Sequence, residues 1–353
     1  MLENCRLVGK IPNHLEVKEE LPLSERWKVT VENAKGEIKR ILTGESGKKI
    51  IILWPCSADF QEPVEKYANF IANMRTKYRD KMEIIMRFYT WKPRTIWGWK
   101  WLSNSRPWDK PDISRWIMDS RELAIQLIEK YQIPLADEML HPQLLNLFWD
   151  IYSYLAIWAR STEDQWHREV ASGSSIPMWF KNPQSGDIDV MTNSIKAGQT
   201  PSTYAIMELL YESLWNMYSH WILRWWRMNN KGFSNYDEES LKSTVDLLKR
   251  KWIINPWFLV DTNHENSNKK YEKQIEIMMS VFDSIKKLKE SWVDISKYFK
   301  WFMTESYLFD WRQDWPEDGD ITKIQKWRSL TDPCIWLEKT KIFLDEMYKR
   351  IEI

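Results

Sequence analysis

Glycine is nearly missing from this chain, at 10 of 353 residues, where an average composition gives roughly 25. Cysteine is scarce too. Cys5, Cys56 and Cys334 are too few and too scattered for a disulfide framework, so a reducing, cytoplasmic setting is expected. No apolar stretch approaches the roughly 18 residues of a membrane span, and the first residues lack the basic-then-apolar pattern of a secretory leader. A soluble protein with no membrane partner is expected. Charge of one sign is also lacking: 51 Lys and Arg stand against 50 Asp and Glu, a net charge of +1. That argues against a nucleic-acid partner, and any anion site must be a local cluster of bases. No internal repeat or low-complexity tract is visible. Tryptophan is the residue in excess, at 24. The glycine and tryptophan counts look partly exchanged.

The length fits one large α/β domain with an extension. Short apolar runs rich in Ile, Val, Leu and Phe predict buried strands at Ile50–Leu53, Met82–Phe88, Leu135–Glu138, Leu155–Ala159, Pro177–Phe180, His220–Leu223, Trp257–Asp261 and Phe299–Glu305. Amphipathic stretches between them predict helices at Val64–Lys77, Arg115–Tyr131, Glu238–Lys251, Lys270–Lys287 and Ile335–Ile351. Eight buried strands alternating with helices read as a (β/α)8 TIM barrel over residues 50–353. Residues 1–49, with a helix expected at Val31–Leu42, read as an N-terminal extension. Phe309–Leu330 is polar, and long enough for a functional loop at the barrel mouth.

Chemistry in such a barrel sits at the C-terminal ends of the strands. The predicted ends place Arg87, Lys92, Arg94, Arg160, Lys181 and Arg224 around one mouth, with Glu138 among them. Six bases aimed at one cavity, in a chain of net charge +1, suit a multiply anionic ligand carrying phosphates or carboxylates. The same mouth receives Cys56, His264, Glu305 and Asp332. A thiolate, an imidazole and two carboxylates suit one divalent metal ion such as Mn, Fe, Co or Zn. The four are far apart in sequence, so no local spacing supports a metal site. On the residues alone the plainer readings come first: Cys56 as a small buried hydrophobe, His264 as a satisfied polar residue, and the two carboxylates as ion-pair partners.

Several ordered blocks resemble the class I 3-deoxy-D-arabino-heptulosonate 7-phosphate (DAHP) synthases in their short bacterial form. They are Trp54-Pro-Cys-Ser, Ile85-Met-Arg-Phe-Tyr, Lys92-Pro-Arg-Thr, Gly98-Trp-Lys, Ala156-Ile-Trp-Ala-Arg-Ser-Thr-Glu, His167-Arg-Glu-Val-Ala-Ser-Gly, Phe180-Lys-Asn, Ile222-Leu-Arg, Asp261-Thr-Asn-His-Glu-Asn-Ser, Glu305-Ser and Ser329-Leu-Thr-Asp-Pro-Cys-Ile. The likeness runs from about Arg6 to Met347. It implies a metal-dependent condensation of phosphoenolpyruvate with erythrose 4-phosphate, the first step toward the aromatic amino acids. It makes Cys56, His264, Glu305 and Asp332 the metal ligands. Around phosphoenolpyruvate it places Arg87, Lys92, Glu138, Arg160, Lys181 and Arg224. Arg160 and Arg224 face the phosphate, Arg87 and Lys92 lie toward the carboxylate, and Lys181 reaches both ends. Arg94 and Thr95 would hold the phosphate of erythrose 4-phosphate. Catalytic roles fall to Lys92, Glu138, Lys181 and His264, with Lys92 and Glu138 as candidates for moving protons. The likeness further implies a homodimer or homotetramer, and an extension that carries subunit contacts and an aromatic amino acid inhibitor site. The related octulosonate 8-phosphate synthases, and a non-catalytic barrel, are the alternatives.

At positions where that family carries glycine, this chain has Trp54, Trp101, Trp158, Trp179, Trp225, Trp226, Trp301 and Trp336. Glycine at such places serves a left-handed backbone or a close approach to ligand, and an indole serves neither. A gene whose UGA codons mean glycine, translated as though they meant tryptophan, would give this pattern. Trp99 is expected to be genuine, since the family block itself carries tryptophan there.

Overall fold

The computed structural model describes residues 4–92, 102, 112–183, 185–206, 209–228, 231–318 and 320–351. In chain order the regular elements are α1 (His14–Glu20), α2 (Glu25–Thr43), β1 (Lys49–Trp54), α3 (Gln61–Tyr78), β2 (Met82–Arg87), α4 (Ile113–Tyr131), β3 (Leu135–Glu138), β4 (Tyr152–Ile157), α5 (Gln165–Gly173), β5 (Met178–Lys181), α6 (Ile188–Gly198), β6 (Thr203–Ile206), β7 (Leu209–Glu212), β8 (Ser219–Leu223), β9 (Trp226–Met228), β10 (Lys231–Phe233), α7 (Glu238–Arg250), β11 (Phe258–Asp261), α8 (Gln274–Glu290), β12 (Phe299–Glu305) and α9 (Leu337–Lys349). Eight of the strands close into a parallel barrel in the order β1-β2-β3-β4-β5-β8-β11-β12, and β12 returns to β1. This is the expected (β/α)8 barrel.

Parallel strands covered on both faces must be apolar almost throughout, and Ile50–Leu53 of β1 are wholly buried. The helices carry one apolar face. In α3 the buried Val64, Tyr67, Ala68 and Ile71 follow the i, i+3, i+4, i+7 spacing that lays a single stripe on the barrel. Aspartates start the helices that follow three site-bearing strands. The side chains of Asp164, Asp187 and Asp237 accept backbone N–H groups at the starts of α5, α6 and α7.

The expected helix in the extension is present and longer than predicted. α2 lies across the N-terminal ends of the strands, and its Ile38, Ile41 and Leu42 join the main core. The Lys300 ammonium of β12 donates to the Ile41 carbonyl at 3.2 Å, and Lys35 donates to the Trp149 carbonyl at 3.3 Å. That end of the barrel is plugged, which leaves the C-terminal ends of the strands as the open mouth. Among the described residues no helix is long and apolar enough to cross a membrane.

All eight predicted strands are present. β4 begins at Tyr152, three residues before its predicted start. Helices α1, α5 and α6 and the hairpins β6-β7 and β9-β10 were not predicted. The side chains of β7 are all exposed, and β6 alternates only between exposed and half-buried positions, so neither strand has a fully buried face. Phe309–Leu330 is irregular apart from a 3-10 turn at Ile321–Lys323 and isolated bridges such as Trp311 to Cys334.

Candidate active site

β2, β3, β5 and the segment after β8 deliver a cationic cluster to the mouth. Arg87 at the end of β2 is wholly buried, and none of its three guanidinium nitrogens has a hydrogen-bond partner. Its NH2 nitrogen lies 3.3 Å from Glu138 Oε1, at the end of β3. Glu138 also pairs with Lys181, at the end of β5. Burial pulls Arg87 down to about 10. Burial, with the like charges of Arg87 and Arg224, holds Lys181 well below its ordinary value. Two buried cations sharing one carboxylate leave an excess of positive charge, and an incoming anion would compensate it. Lys92, Arg160 and Arg224 border the same cleft, whose volume is about 530 Å³. Arg94 and Thr95 lie outside the described residues.

Two tryptophans cover these cations. The Trp54 ring lies 3.3 Å from the Arg87 guanidinium carbon and 4.2 Å from the Lys181 ammonium. The Trp158 ring lies 4.1 Å from the Arg160 guanidinium carbon. Trp54 is buried, and its indole N–H has no hydrogen-bond partner.

On the neighbouring side of the mouth, ligand atoms of His264, Glu305 and Asp332 all lie within 4.8 Å of one another. Asp261 accepts from His264 Nδ1 at 2.6 Å, which leaves Nε2 with its lone pair outward. That Nε2 faces Glu305 Oε1 at 3.2 Å, and Oε1 is buried without a hydrogen-bond partner. Two electron-pair donors facing each other fit a cation between them, so the residues present suit a metal ion. Burial pushes Glu305 up to about 7. Enclosure in the cleft raises the Asp332 carboxyl, but Lys92 at 3.1 Å, with His264 and Arg224, outweighs it and holds Asp332 below the usual carboxylate range.

The fourth expected ligand stands apart. Cys56 is not among the donors within 4.8 Å of one another, and its Sγ lies 2.7 Å from Cys334 Sγ. Burial and the Cys334 thiol push the Cys56 thiol well up. Cys56 and His264 both take left-handed backbone, at φ 56° and 46°. Strained φ values cluster at functional sites.

The sequence reading assigned no role to Asp261, which is fully buried. One of its oxygens accepts from both His264 Nδ1 and Arg224 Nε, the latter at 3.2 Å. It therefore fixes the imidazole and also orients a guanidinium of the cationic cluster. A carboxylate three residues before a histidine at a strand end was the available signal. Asn263 was missed too: its side-chain amide donates to Glu305 and, at 3.1 Å, to the Pro333 carbonyl. Losing an outer partner of a metal-binding histidine typically costs about 10–100-fold in metal affinity. Asp261→Asn is expected to fall in that range by calorimetric metal titration, and also to weaken anion binding through Arg224. Unchanged metal affinity would remove Asp261 from the site.

The DAHP synthetase I family matches residues 26–343. The phenylalanine-inhibited phospho-2-dehydro-3-deoxyheptonate aldolase of Saccharomyces cerevisiae is 31% identical, over 98% of this chain and 92% of the relative. The phospho-2-dehydro-3-deoxyheptonate aldolase of Haemophilus influenzae is 33% identical, over 96% of this chain and 91% of the relative. The solved structure of the Francisella tularensis phospho-2-dehydro-3-deoxyheptonate aldolase superposes with a TM-score of 0.87 at 26% identity, covering 99% of each chain. On sequence and on fold alike, this chain belongs to the DAHP synthetase I family.

Proposed function

We propose that the chain condenses phosphoenolpyruvate with erythrose 4-phosphate, giving DAHP and inorganic phosphate. The observation that carries the assignment of the site is Arg87, a fully buried guanidinium whose three nitrogens make no hydrogen bond, beside the buried Lys181. Buried polar groups are almost always satisfied, and a forked cation of this kind is satisfied by a carboxylate or phosphate.

In this reading Arg87 and Lys92 take the carboxylate of phosphoenolpyruvate, Arg160 and Arg224 its phosphate, and Lys181 spans both. Arg94 and Thr95 take the phosphate of the aldehyde substrate. The ring of cations offsets the repulsion between two phosphorylated substrates and fixes the angle at which their carbons meet. Carbon 3 of phosphoenolpyruvate attacks the aldehyde carbon. Water captures carbon 2, and phosphate leaves. Glu138, between Arg87 and Lys181, and Lys92, beside Asp332, are the candidates for moving protons. His264, Glu305, Asp332 and Cys56 would hold one divalent ion, with Cys56 turned away from Cys334. When bound, that ion supplies Lewis-acid polarisation of the aldehyde. Mn, Fe, Co and Zn all suit this donor set.

Residues 1–49 are proposed as an arm for subunit contacts in a homodimer or homotetramer. Within the arm Leu7 is 88% exposed and Val8 is also outward, apolar side chains that suit a second copy. An aromatic amino acid inhibitor is proposed because relatives carry the names phenylalanine-inhibited and Tyr-sensitive. A cytoplasmic location fits the same reading. Trp54, Trp101, Trp158, Trp179, Trp225, Trp226, Trp301 and Trp336 are proposed to be glycine in the natural protein; Trp101 lies outside the described residues.

The test is a sugar panel with phosphate release as the readout. Erythrose 4-phosphate should support turnover and arabinose 5-phosphate should not. The reverse preference would assign the chain to octulosonate synthesis. Binding of both substrates without turnover would make it a non-catalytic relative.

A further inference from the structure

Ten non-glycine residues among those described have positive φ, and five are tryptophans: Trp215, Trp252, Trp292, Trp301 and Trp311. Tryptophan is 24 of 353 residues, so an even distribution would place fewer than one there. A bulky residue at positive φ is an outlier in any fold.

Two of the five occupy the same structural motif. α7 ends at Arg250, Lys251 caps it, and Trp252 follows at φ 58°. The Trp252 N–H donates to the Lys249 carbonyl at 3.0 Å, and the Ile253 N–H to Leu248 at 3.0 Å. α8 ends at Glu290, Ser291 caps it, and Trp292 follows at φ 62°. The Trp292 N–H donates to Lys289 at 3.1 Å, and the Val293 N–H to Leu288 at 2.8 Å. Each is a Schellman termination: paired hydrogen bonds from the two residues past the cap, an apolar residue following, and a left-handed residue where the chain turns. That turning residue is usually glycine, because a Cβ in left-handed backbone comes too close to the carbonyl oxygen that follows. The same chain does use glycine where α2 ends, at Gly44, φ 86°. The indoles gain nothing in return for the strain. Trp252 is 83% exposed and Trp292 97%.

We infer that residues 252 and 292 are glycine in the natural protein, written as tryptophan because UGA was read as tryptophan, and that 215, 301 and 311 follow the same rule. The glycine assignment stands on backbone conformation and exposure, without family resemblance. It adds 215, 252, 292 and 311 to the positions named from family resemblance, and the two routes meet at 301. It holds or fails independently of the assigned reaction.

The tryptic peptide Glu290–Lys297 contains position 292 and no other tryptophan. In protein purified from the natural host its mass is expected to fit glycine, and the codons at 252 and 292 are expected to be UGA. A peptide mass that fits tryptophan, or UGG at both codons, overturns the inference. In the recombinant chain as written, Trp252→Gly with Trp292→Gly is expected to raise Tm by roughly 2–4 °C. Trp27→Gly, inside α2, is expected to lower it. A fall in Tm for the double variant would count against glycine at these turns.

Discussion

Replacing His264 with alanine is expected to weaken divalent-metal binding by more than the roughly 100-fold that loss of an outer partner can cost, and to abolish turnover. The imidazole is held by Asp261 at 2.6 Å with Nε2 turned toward Glu305 Oε1 at 3.2 Å, so the substitution deletes a donor that is already oriented. Affinity for phosphoenolpyruvate in the metal-free chain should change little, because Arg87 and Lys181 belong to the other side of the mouth. That contrast separates loss of a ligand from general damage. The pH dependence has a definite sign. Glu305 is pushed up to about 7 by burial, and its proton must leave when a metal binds. Apparent metal affinity should therefore hold above about pH 7 and weaken about tenfold per unit below it. Isothermal titration with Mn at several pH values reads both effects. Equal metal affinity in the wild-type chain and the His264→Ala variant would sink the ligand assignment.

The second large effect concerns the tryptophans over the cations. Trp54→Gly combined with Trp158→Gly is expected to tighten phosphoenolpyruvate binding by at least about 30-fold relative to the chain as written. The Trp54 indole lies against both Arg87 and Lys181. A desolvated cation–π contact contributes about 2 kcal/mol, and an anion reaching Arg87 must give up at least one. At 1.4 kcal/mol per decade that is about 30-fold, before any steric gain from emptying the cleft. Loss of intrinsic tryptophan fluorescence at the site complicates an optical readout, so calorimetry is the better method. Unchanged or weaker binding in the double variant would mean that the indoles do not block the anion site.

The barrel was legible because its strands are short, largely apolar and spaced by helices with a single apolar stripe, as in Ile50–Leu53 followed by Val64, Tyr67, Ala68 and Ile71. The hairpin β6-β7 was not, because neither strand has a fully buried face to mark it as apolar. The cationic cluster was legible one strand end at a time, but its chemistry was not. Sequence gives Arg87 as a base at a strand end; only packing makes it a fully buried guanidinium whose nitrogens make no hydrogen bond and whose charge faces Glu138. His264, Glu305 and Asp332 converge from β11, β12 and the last loop, a grouping no spacing reveals. The pairing of Cys56 with Cys334 across 278 positions was equally out of reach. Asp261 could have been found from its place three residues before His264, and its second bond, to Arg224, needed the fold. The left-handed turns at 252 and 292 also needed the folded backbone, since composition shows only that glycine is scarce.

The measurement that bears most directly on the central claim is phosphate release after mixing phosphoenolpyruvate and erythrose 4-phosphate with the chain carrying glycine at the proposed positions. The assay is run with Mn, after chelation, and after Mn is restored. Phosphate release equal to phosphoenolpyruvate consumed, lost on chelation and recovered with metal, is the predicted result. No release in any of the three states, from a folded protein that binds phosphoenolpyruvate, would contradict the account and leave a barrel that holds the substrate without transforming it.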